Sequence, residues 1–365
     1  MMRLDKALPP NSTIGILGGG QLGRMLALAA ARLGLKCHIF APEPESPAFQ
    51  VAAHHTCADY ADRKALEAFA ATVDVVTYEF ENVPAETAAI LGGLKPLAPG
   101  AQALATSQDR LAEKTFLANI GLATAPFAAV ADRQDLEKAV AQIGSPSILK
   151  TRRFGYDGKG QTTLNGQMTL DAAWTAIGGK PAILEGFIDF ETEVSIIAAR
   201  AWDGSIAVYD VPENRHANHI LRESIVPARI APDTAAAARD IAARITTALD
   251  YVGIIGVELF LARERGKERL IVNEIAPRVH NSGHWTMDAC AVSQFEQHIR
   301  AVAGWPLGNP ERHSNVVMTN LLGEEAENWR NLAGEPHAGL HLYGKSQSRP
   351  GRKMGHINRL TPRQD

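Results

Sequence analysis

Between residues 13 and 78, short apolar runs alternate with segments whose apolar positions recur at helical spacing. Thr13 to Leu17, Lys36 to Phe40 and Asp74 to Tyr78 are predicted as strands. Gln21 to Leu33 reads as an amphipathic helix that Gly34 can stop, and Asp62 can cap a second helix through Thr72. Strands alternating with helices predict a parallel sheet. The third strand runs into the acidic, turn-like EFENVP, and Pro96 and Pro99 then break the pattern. A helix that Ser107 could cap runs through Arg110 and Phe116 to a stop at Gly121, which puts a domain boundary near residue 105.

From Ile148 the pattern becomes that of antiparallel strands. Ser195 to Trp202 and Ile206 to Val211 flank Asp203-Gly204, a strong hairpin signal. A helix from Thr234 to Leu249, with Asp233 as its cap, carries Ile241, Ile245 and Leu249 on one face. Gly304 to Pro310 reads as a linker, followed by short strands separated by Gly and Pro. The expected division is a parallel-sheet α/β domain over 1–105, an α+β domain over 106–304 and a small β domain over 305–365. There is no internal repeat and no low-complexity tract.

The runs GVELFL and IVNEIAPR read as a β-hairpin about Gly266. Centred there, it sets Glu258 directly opposite Glu274, where like charges repel. Phe260, Leu270 and Val272 are expected on the same face, which makes it half-buried and calls for a cation between the acids. Mg²⁺ held by one or two carboxylates together with substrate phosphates points to ATP chemistry. A solvated pair on an edge hairpin is the simpler alternative.

The chain has 365 residues and a net charge of -3, which suits two or three soluble domains and gives no electrostatic case for nucleic acid or an anionic membrane as partner. Cys37, Cys57 and Cys290 are widely spaced, so they are expected as buried thiols in a reducing compartment. The apolar stretch near the N-terminus is too short and glycine-rich for a signal peptide or a membrane span, and a cytoplasmic protein is expected.

Lys150 ends a strand and leads into the loop Arg152-Arg-Phe-Gly-Tyr-Asp-Gly-Lys-Gly-Gln161. Such a loop can close over polyphosphate, since glycines let backbone N–H groups approach an anion that lysines neutralise. It lacks the P-loop spacing, and a flexible surface hairpin is the alternative. Glu185 interrupts the apolar run AILEGFI, and Glu193 follows in an acidic stretch. In this order, Lys150, the glycine loop, Glu185, Glu193, Glu258 and Asn273-Glu274 closely resemble the ATP-grasp superfamily over residues 105 to 304.

Three stretches, GILGGGQLGRM at 15–25, FGYDGKGQ at 154–161 and NEIAPRVHNSGHWT at 273–286, extend the resemblance to nearly the whole chain. Within the superfamily the chain is most similar to the N5-carboxyaminoimidazole ribonucleotide synthases of purine biosynthesis. The resemblance implies an ATP-grasp fold with an N-terminal Rossmann-like domain and a small C-terminal β domain, usually assembled as a homodimer. ATP would be bound by Arg110, Lys150, Gly155, Tyr156, Asp157, Gly158, Lys159, Gly160, Gln161, Glu185, Gly186, Phe187, Ile188, Glu193, His216, Asn273 and Glu274. Mg²⁺ would fall on Glu258 and Glu274; Ala276 stands where many superfamily members carry an Asn ligand. The implied reaction phosphorylates bicarbonate to carboxyphosphate and transfers its carboxyl carbon to 5-aminoimidazole ribonucleotide. Lys150, the metals and the closed loop would stabilise the charge shared by attacking and leaving oxygens, and Tyr156, Asp157 and Lys159 would reach the substrates once the loop closes; Arg278 would anchor bicarbonate, and His280 and Asn281 would orient the amine or move its proton.

Gly18-Gly-Gly-Gln-Leu-Gly23 after a strand, with Glu43 downstream, taken alone suits NAD. The resemblance assigns that turn to the ribonucleotide instead, with Gln21, Leu22 and Glu79 near ribose and base. The basic run from Tyr343 to Gly355 reads as an ordered turn aimed at one anion, and by resemblance Lys345, Arg352 and Lys353 would hold the 5′-phosphate. His216 with His219, or His280 with His284, could instead suggest zinc, although Gly283 argues against a helical motif for the second pair. The nearest rival is a formate-dependent glycinamide ribonucleotide transformylase. A NAD-linked oxidoreductase and a silent nucleotide-binding regulator are the others.

Overall fold

A computed structural model describes residues 2–155 and 158–364. Four parallel strands in the order His54–Cys57, Lys36–Ala41, Thr13–Leu17, Val75–Tyr78 form the N-terminal sheet. The inner strands are apolar on both faces because helices cover both, and Ile14, Ile16, Ile39 and Val75 are fully buried. The edge strand His54–Cys57 is largely exposed and carries no apolar run, so the hydrophobic pattern did not mark it. Cys57 on that edge is exposed, contrary to expectation; Cys37 and Cys290 are buried, and burial pushes both thiols up to about 12.

Asp62 caps Arg63–Ala71 by accepting from the Ala65 N–H, as its position suggested. The expected cap at Ser107 is displaced. Ser107 ends the short helix Ala101–Ser107 and bonds back to the Ala103 and Leu104 carbonyls, while Asp109 caps Arg110–Asn119 through the Leu111 and Ala112 N–H groups. Pro232 opens the helix Pro232–Ala248, so Asp233 lies in its first turn and is not the cap.

Two sheets follow. A small antiparallel sheet runs Phe127–Val130, Ala182–Gly186, Ser147–Thr151, Gln161–Leu164. A nine-stranded sheet runs Lys267–Ala276, Gly253–Glu264, Thr192–Arg200, Glu213–Ala217, Ile220–Val226, Ser314–Leu322, Lys353–Pro362, Ala338–Leu342, with Ile206–Val208 paired to Thr192–Arg200 as the Asp203-Gly204 signal required. The C-terminal strands thus extend the central sheet. One face packs Val194, Ile196, Val257 and Leu259 with Ala238, Ala242 and Ile245 of the long helix. The other packs Ile197, Ala199 and Ile254 with Phe295 and Ile299 of Gln294–Val302. The expected linker is tied down, since Trp305 donates to the Leu8 carbonyl at 2.7 Å and Gly308 donates to Gln297 at 2.8 Å. Among the described residues no helix is long and apolar enough to cross a membrane.

The carboxylate hairpin turns on two residues, Arg265 and Gly266, both at positive φ. That turn alone would pair Leu259 with Val272 and leave Glu258 opposite Asn273. A bulge between Glu258 and Leu259 on the ladder restores the pairing of Glu258 with Glu274. The same bulge corrects the rest of the face: Phe260 pairs with Ile271, whereas Leu270 and Val272 turn to the opposite side and pack against the long helix.

Candidate active site

Lys150 and Glu185 lie on adjacent strands of the small sheet, where Ile148 pairs with Glu185 and so sets the two side chains diagonally on one face. Their ion pair is 2.8 Å long and buried. Lys114, fully buried on Arg110–Asn119, approaches the same Glu185 oxygen at 3.8 Å and donates to the Asn273 carbonyl at 2.6 Å. Burial pushes the Glu185 carboxyl up, but Lys150 and Lys114 outweigh it and hold it below the ordinary value. Its other oxygen, Oε1, is buried without a hydrogen-bond partner, an acceptor waiting for a donor. The Gly186 and Phe187 N–H groups are engaged by the Pro126 and Pro146 carbonyls, and the Phe187 side chain is half exposed beside them.

On the facing sheet, Glu274, Glu258, Ser195, Asn214 and Ser224 form a polar row across five strands. Glu193 sits on the same face, diagonal to Glu258, with His216 3.2 Å from its carboxylate. Burial, then the charges of Glu258 and Glu274, push Glu193 up to about 7. Glu274 is met by Arg110 at 3.1 Å and Glu258 by His280 Nε2 at 3.2 Å. Burial drives Glu258 upward, yet His280 and more distant cations bring it below the ordinary carboxylate range. Glu258 and Glu274 thus offer hard carboxylate oxygens side by side, donors of the kind Mg²⁺ takes together with phosphate oxygens, and among the described residues no group of three or more His, Cys, Asp or Glu is gathered to hold a metal by itself.

Arg278 leaves the Lys267–Ala276 strand and makes a two-point ion pair with Glu81 of the EFENVP turn, reaching across to the N-terminal domain. The loop then crosses the sheet so closely that a Cβ on Gly256 would lie 2.6 Å from the His280 Cβ. Asn281 and Asn320 exchange amide bonds of 3.0 and 2.7 Å, which fixes the loop to Ser314–Leu322. A cleft lined by Glu81, Arg110, Gly155, Glu274 and Arg278 joins these groups.

The glycine loop is anchored at both ends: Arg110 donates to the Gly155 carbonyl at 3.4 Å, and Thr151 N–H to that of Gly160 at 2.8 Å. Gly158 packs against His219 at the tip of the next hairpin. Lys159 and Gln161 are exposed, and Tyr156 and Asp157 fall outside the described residues.

Glu79 occupies the N-terminal glycine turn itself, accepting from Gly20 and Gly23 N–H. A carboxylate therefore holds the helix N-terminus where a dinucleotide pyrophosphate would sit, which counts against NAD. Gln21 and Leu22 begin that helix beside it. The C-terminal basic turn leans on the same region. Ser346 donates to Glu45 at 2.9 Å, Gln50 donates to the Gly344 carbonyl at 3.0 Å, and Glu43 lines one open cleft with Arg349 and Arg352. Lys345 donates to the Lys353 carbonyl at 2.7 Å, and Arg352 to that of Gln347 at 2.7 Å. His284 is buried, bonded to Gln294 and packed against Phe295 and His356, so it does not share a site with His280.

Glu81, Glu113, Lys114 and the buried serines escaped the sequence reading. Glu113 and Lys114 sit in an ordinary helical pattern and become a charged cluster only where the helix meets Asn273 and the Ile275 N–H, which Glu113 accepts at 2.6 Å. A lysine on an otherwise buried helix face was the one signal available.

The comparisons with known proteins agree along the chain. Residues 11–108 match the ribonucleotide synthetase preATP-grasp domain, 115–295 the ATP-grasp domain and 316–365 the phosphoribosylaminoimidazole carboxylase C-terminal domain. An N5-carboxyaminoimidazole ribonucleotide synthase of Brucella melitensis is 53% identical over 363 residues, covering 99% of each chain. An N5-carboxyaminoimidazole ribonucleotide synthetase solved as its ADP complex superimposes with a TM-score of 0.94 at 43% identity, over 98% of this chain and 94% of that one. The Aspergillus clavatus synthase solved with ADP and 5-aminoimidazole ribonucleotide gives 0.89 at 31% identity, over 96% and 94%. With a parallel-sheet domain, two facing sheets that bring Lys150 and Glu185 toward the Glu258–Glu274 pair, and this likeness from end to end, the chain belongs to the N5-carboxyaminoimidazole ribonucleotide synthase family of ATP-grasp ligases.

Proposed function

We propose that this ligase uses ATP and bicarbonate to carboxylate the exocyclic amine of 5-aminoimidazole ribonucleotide, giving N5-carboxyaminoimidazole ribonucleotide, ADP and phosphate. The observation that carries the reading is the opposed Glu258–Glu274 pair, facing Lys150 and Glu185 on one side and the Arg278–Asn281 loop on the other. The adenine end of ATP would meet the small sheet, where the unpartnered Glu185 Oε1 can accept from an amino group. Arg110, Lys150 and the 155–161 loop would neutralise the phosphates. Glu258 and Glu274 would hold Mg²⁺, whose chemistry when bound is to offset charge on the β- and γ-phosphate oxygens.

A bicarbonate oxygen attacks the γ-phosphorus and the bond to ADP breaks. Arg278 would place the bicarbonate; its present partner Glu81 holds the guanidinium in position beneath the site. The amine nitrogen then bonds to the carboxyl carbon, the bond to phosphate oxygen breaks, and the amine releases a proton. His280, whose ring faces Glu258, would orient the amine or move its proton, whereas one donor and one acceptor of Asn281 are committed to Asn320, so Asn281 would act by fixing the loop. Carboxyphosphate hydrolyses readily, and the anchored 155–161 loop would exclude water. The ribonucleotide would span from Gln21, Leu22 and Glu79 to a 5′-phosphate on Lys345, Arg352 and Lys353, two regions that the fold brings together. Division at about residues 105 and 304 and a cytoplasmic location belong to the same reading and rest on the residue pattern, and a homodimer rests on the family resemblance.

The test is ADP release in the presence of 5-aminoimidazole ribonucleotide, with bicarbonate depleted or restored. Release that follows bicarbonate supports the proposal. Release supported by formate and glycinamide ribonucleotide would assign the chain to the transformylase reaction.

A further inference from the structure

Asn273 is the extra residue of the hairpin bulge. Glu258 pairs with Glu274 and Leu259 with Val272, which leaves Asn273, among the described residues, with no partner across the ladder. The strand Lys267–Ala276 is also the last of the nine-stranded sheet, so its outer backbone groups need partners other than a strand of that sheet. The helix Arg110–Asn119 supplies them. Its positions 110, 113 and 114 share one face and take up three successive residues of the strand. Lys114 Nζ donates to the Asn273 carbonyl at 2.6 Å and reaches that of Val272 at 3.4 Å, Arg110 meets the Glu274 carboxylate at 3.1 Å, and Glu113 accepts from the Ile275 N–H at 2.6 Å.

Charge compensation alone does not account for Lys114. A buried ammonium needs a counter-charge, and Glu185 is at hand. Yet Lys150 already pairs with that carboxylate at 2.8 Å, whereas Lys114 stands 3.8 Å from it and places its short bond on a neutral carbonyl. Lys114 is 1% exposed and Glu113 2%, so neither bond is readily replaced by one to solvent, and losing either leaves a backbone group buried and unpaired. The bulge thus has its unpaired carbonyl held on one side of Glu274 and the next N–H held on the other.

We propose that Lys114 and Glu113 are positioning residues: a clamp on the outer edge of the bulge that sets where Glu274 presents its carboxylate, with Lys114 tying that strand to Glu185 on the facing sheet. The inference rests on the proposed function for the use made of Glu274, but the clamp itself is a property of the unliganded protein.

The test uses the full-length protein carrying Lys114→Met, which keeps most of the side-chain length and removes the donor. ADP affinity is measured by calorimetry with Mg²⁺ in excess and again in EDTA, and the ratio of the two dissociation constants gives the strengthening due to the metal. In Lys114→Met that strengthening should fall roughly fivefold to tenfold, the worth of one buried hydrogen bond. KM for the ribonucleotide should stay within about twofold, since its proposed contacts lie elsewhere. A general loosening of the fold would weaken ADP equally with and without Mg²⁺, so a folded Lys114→Met that keeps the parent ratio overturns the proposal. If Lys114→Met does not fold, Glu113→Ala, which frees the Ile275 N–H, is read by the same criterion. Hydrogen exchange of the unliganded variant gives a readout that needs no metal: amides over 271–276 should exchange roughly tenfold faster than in the parent protein, and unchanged exchange there also overturns the clamp. A parent protein whose ADP affinity ignores Mg²⁺ would instead overturn the role given to Glu274, and the exchange result would still decide the clamp.

Discussion

Replacing Glu81 by Gln tests how the N-terminal domain holds the Arg278 loop. Glu81 meets Arg278 through both carboxylate oxygens, and its side chain is 31% exposed. Burial raises the carboxyl, but Arg278 outweighs it and lowers the pKa from 4.5 to about 2. At about 1.4 kcal/mol for each pKa unit the pair contributes at most about 3 kcal/mol, and solvent screening at a partly exposed group reduces this to roughly 1–2 kcal/mol. The folded-state pKa lies below the unfolded one, so this stabilisation is complete above pH ~4.5 and is lost as pH falls toward ~2. Thermal unfolding followed by fluorescence should place Glu81→Gln roughly 1–3 °C below the parent protein at pH 7. The gap should shrink to less than about half of that near pH 3, because the parent loses what the variant never had. A gap that stays constant over this range would refute the pairing as the source of the stability.

Three further outcomes follow from the site. Glu274→Gln should reduce turnover roughly 100-fold while the unfolding temperature changes little, since a half-exposed carboxylate serves ligand and not core; near-normal turnover at ordinary Mg²⁺ would remove Glu274 from the metal site. Arg352→Ala should raise KM for the ribonucleotide about 10-fold or more and leave that for ATP within about twofold, because a lost phosphate contact is a lost binding contact; equal effects on both would make the basic turn structural. Gly160→Ala places a Cβ 2.6 Å from Thr151 Oγ1 at a φ of +72°, which L side chains rarely adopt, so the loop must shift. ADP should then form in excess over carboxylated product, and a ratio that stays at one while both rates fall would remove the lid role.

Much of this was legible before the fold. Alternation of strand and helix over residues 13–78 predicted the parallel sheet, because buried parallel strands are written as short apolar runs. The opposition of Glu258 and Glu274 was also expected, but for an incomplete reason. A two-residue turn would have missed it by one residue, and a bulge near Asn273, which carries no clear sequence mark, supplied the difference. The same bulge moved Leu270 and Val272 to the other face. Helix starts at Ser107 and Asp233 were misplaced because Asp109 and Pro232 compete for the same role within two residues. The Glu81–Arg278 and Lys114–Glu185 pairs join residues far apart in the chain, and no local pattern announces a contact that only the packing of helix, sheet, loop and neighbouring domain creates.

The central claim is tested most directly by supplying ¹³C-bicarbonate, Mg-ATP and 5-aminoimidazole ribonucleotide and trapping the product quickly. The ¹³C label in a new N-bound carboxylate is then measured against the ADP formed. The account predicts one labelled carbamate for each ADP, with ADP release dependent on both bicarbonate and the ribonucleotide. ADP formed without labelled carbamate under those conditions, or at a rate indifferent to the ribonucleotide, would contradict it.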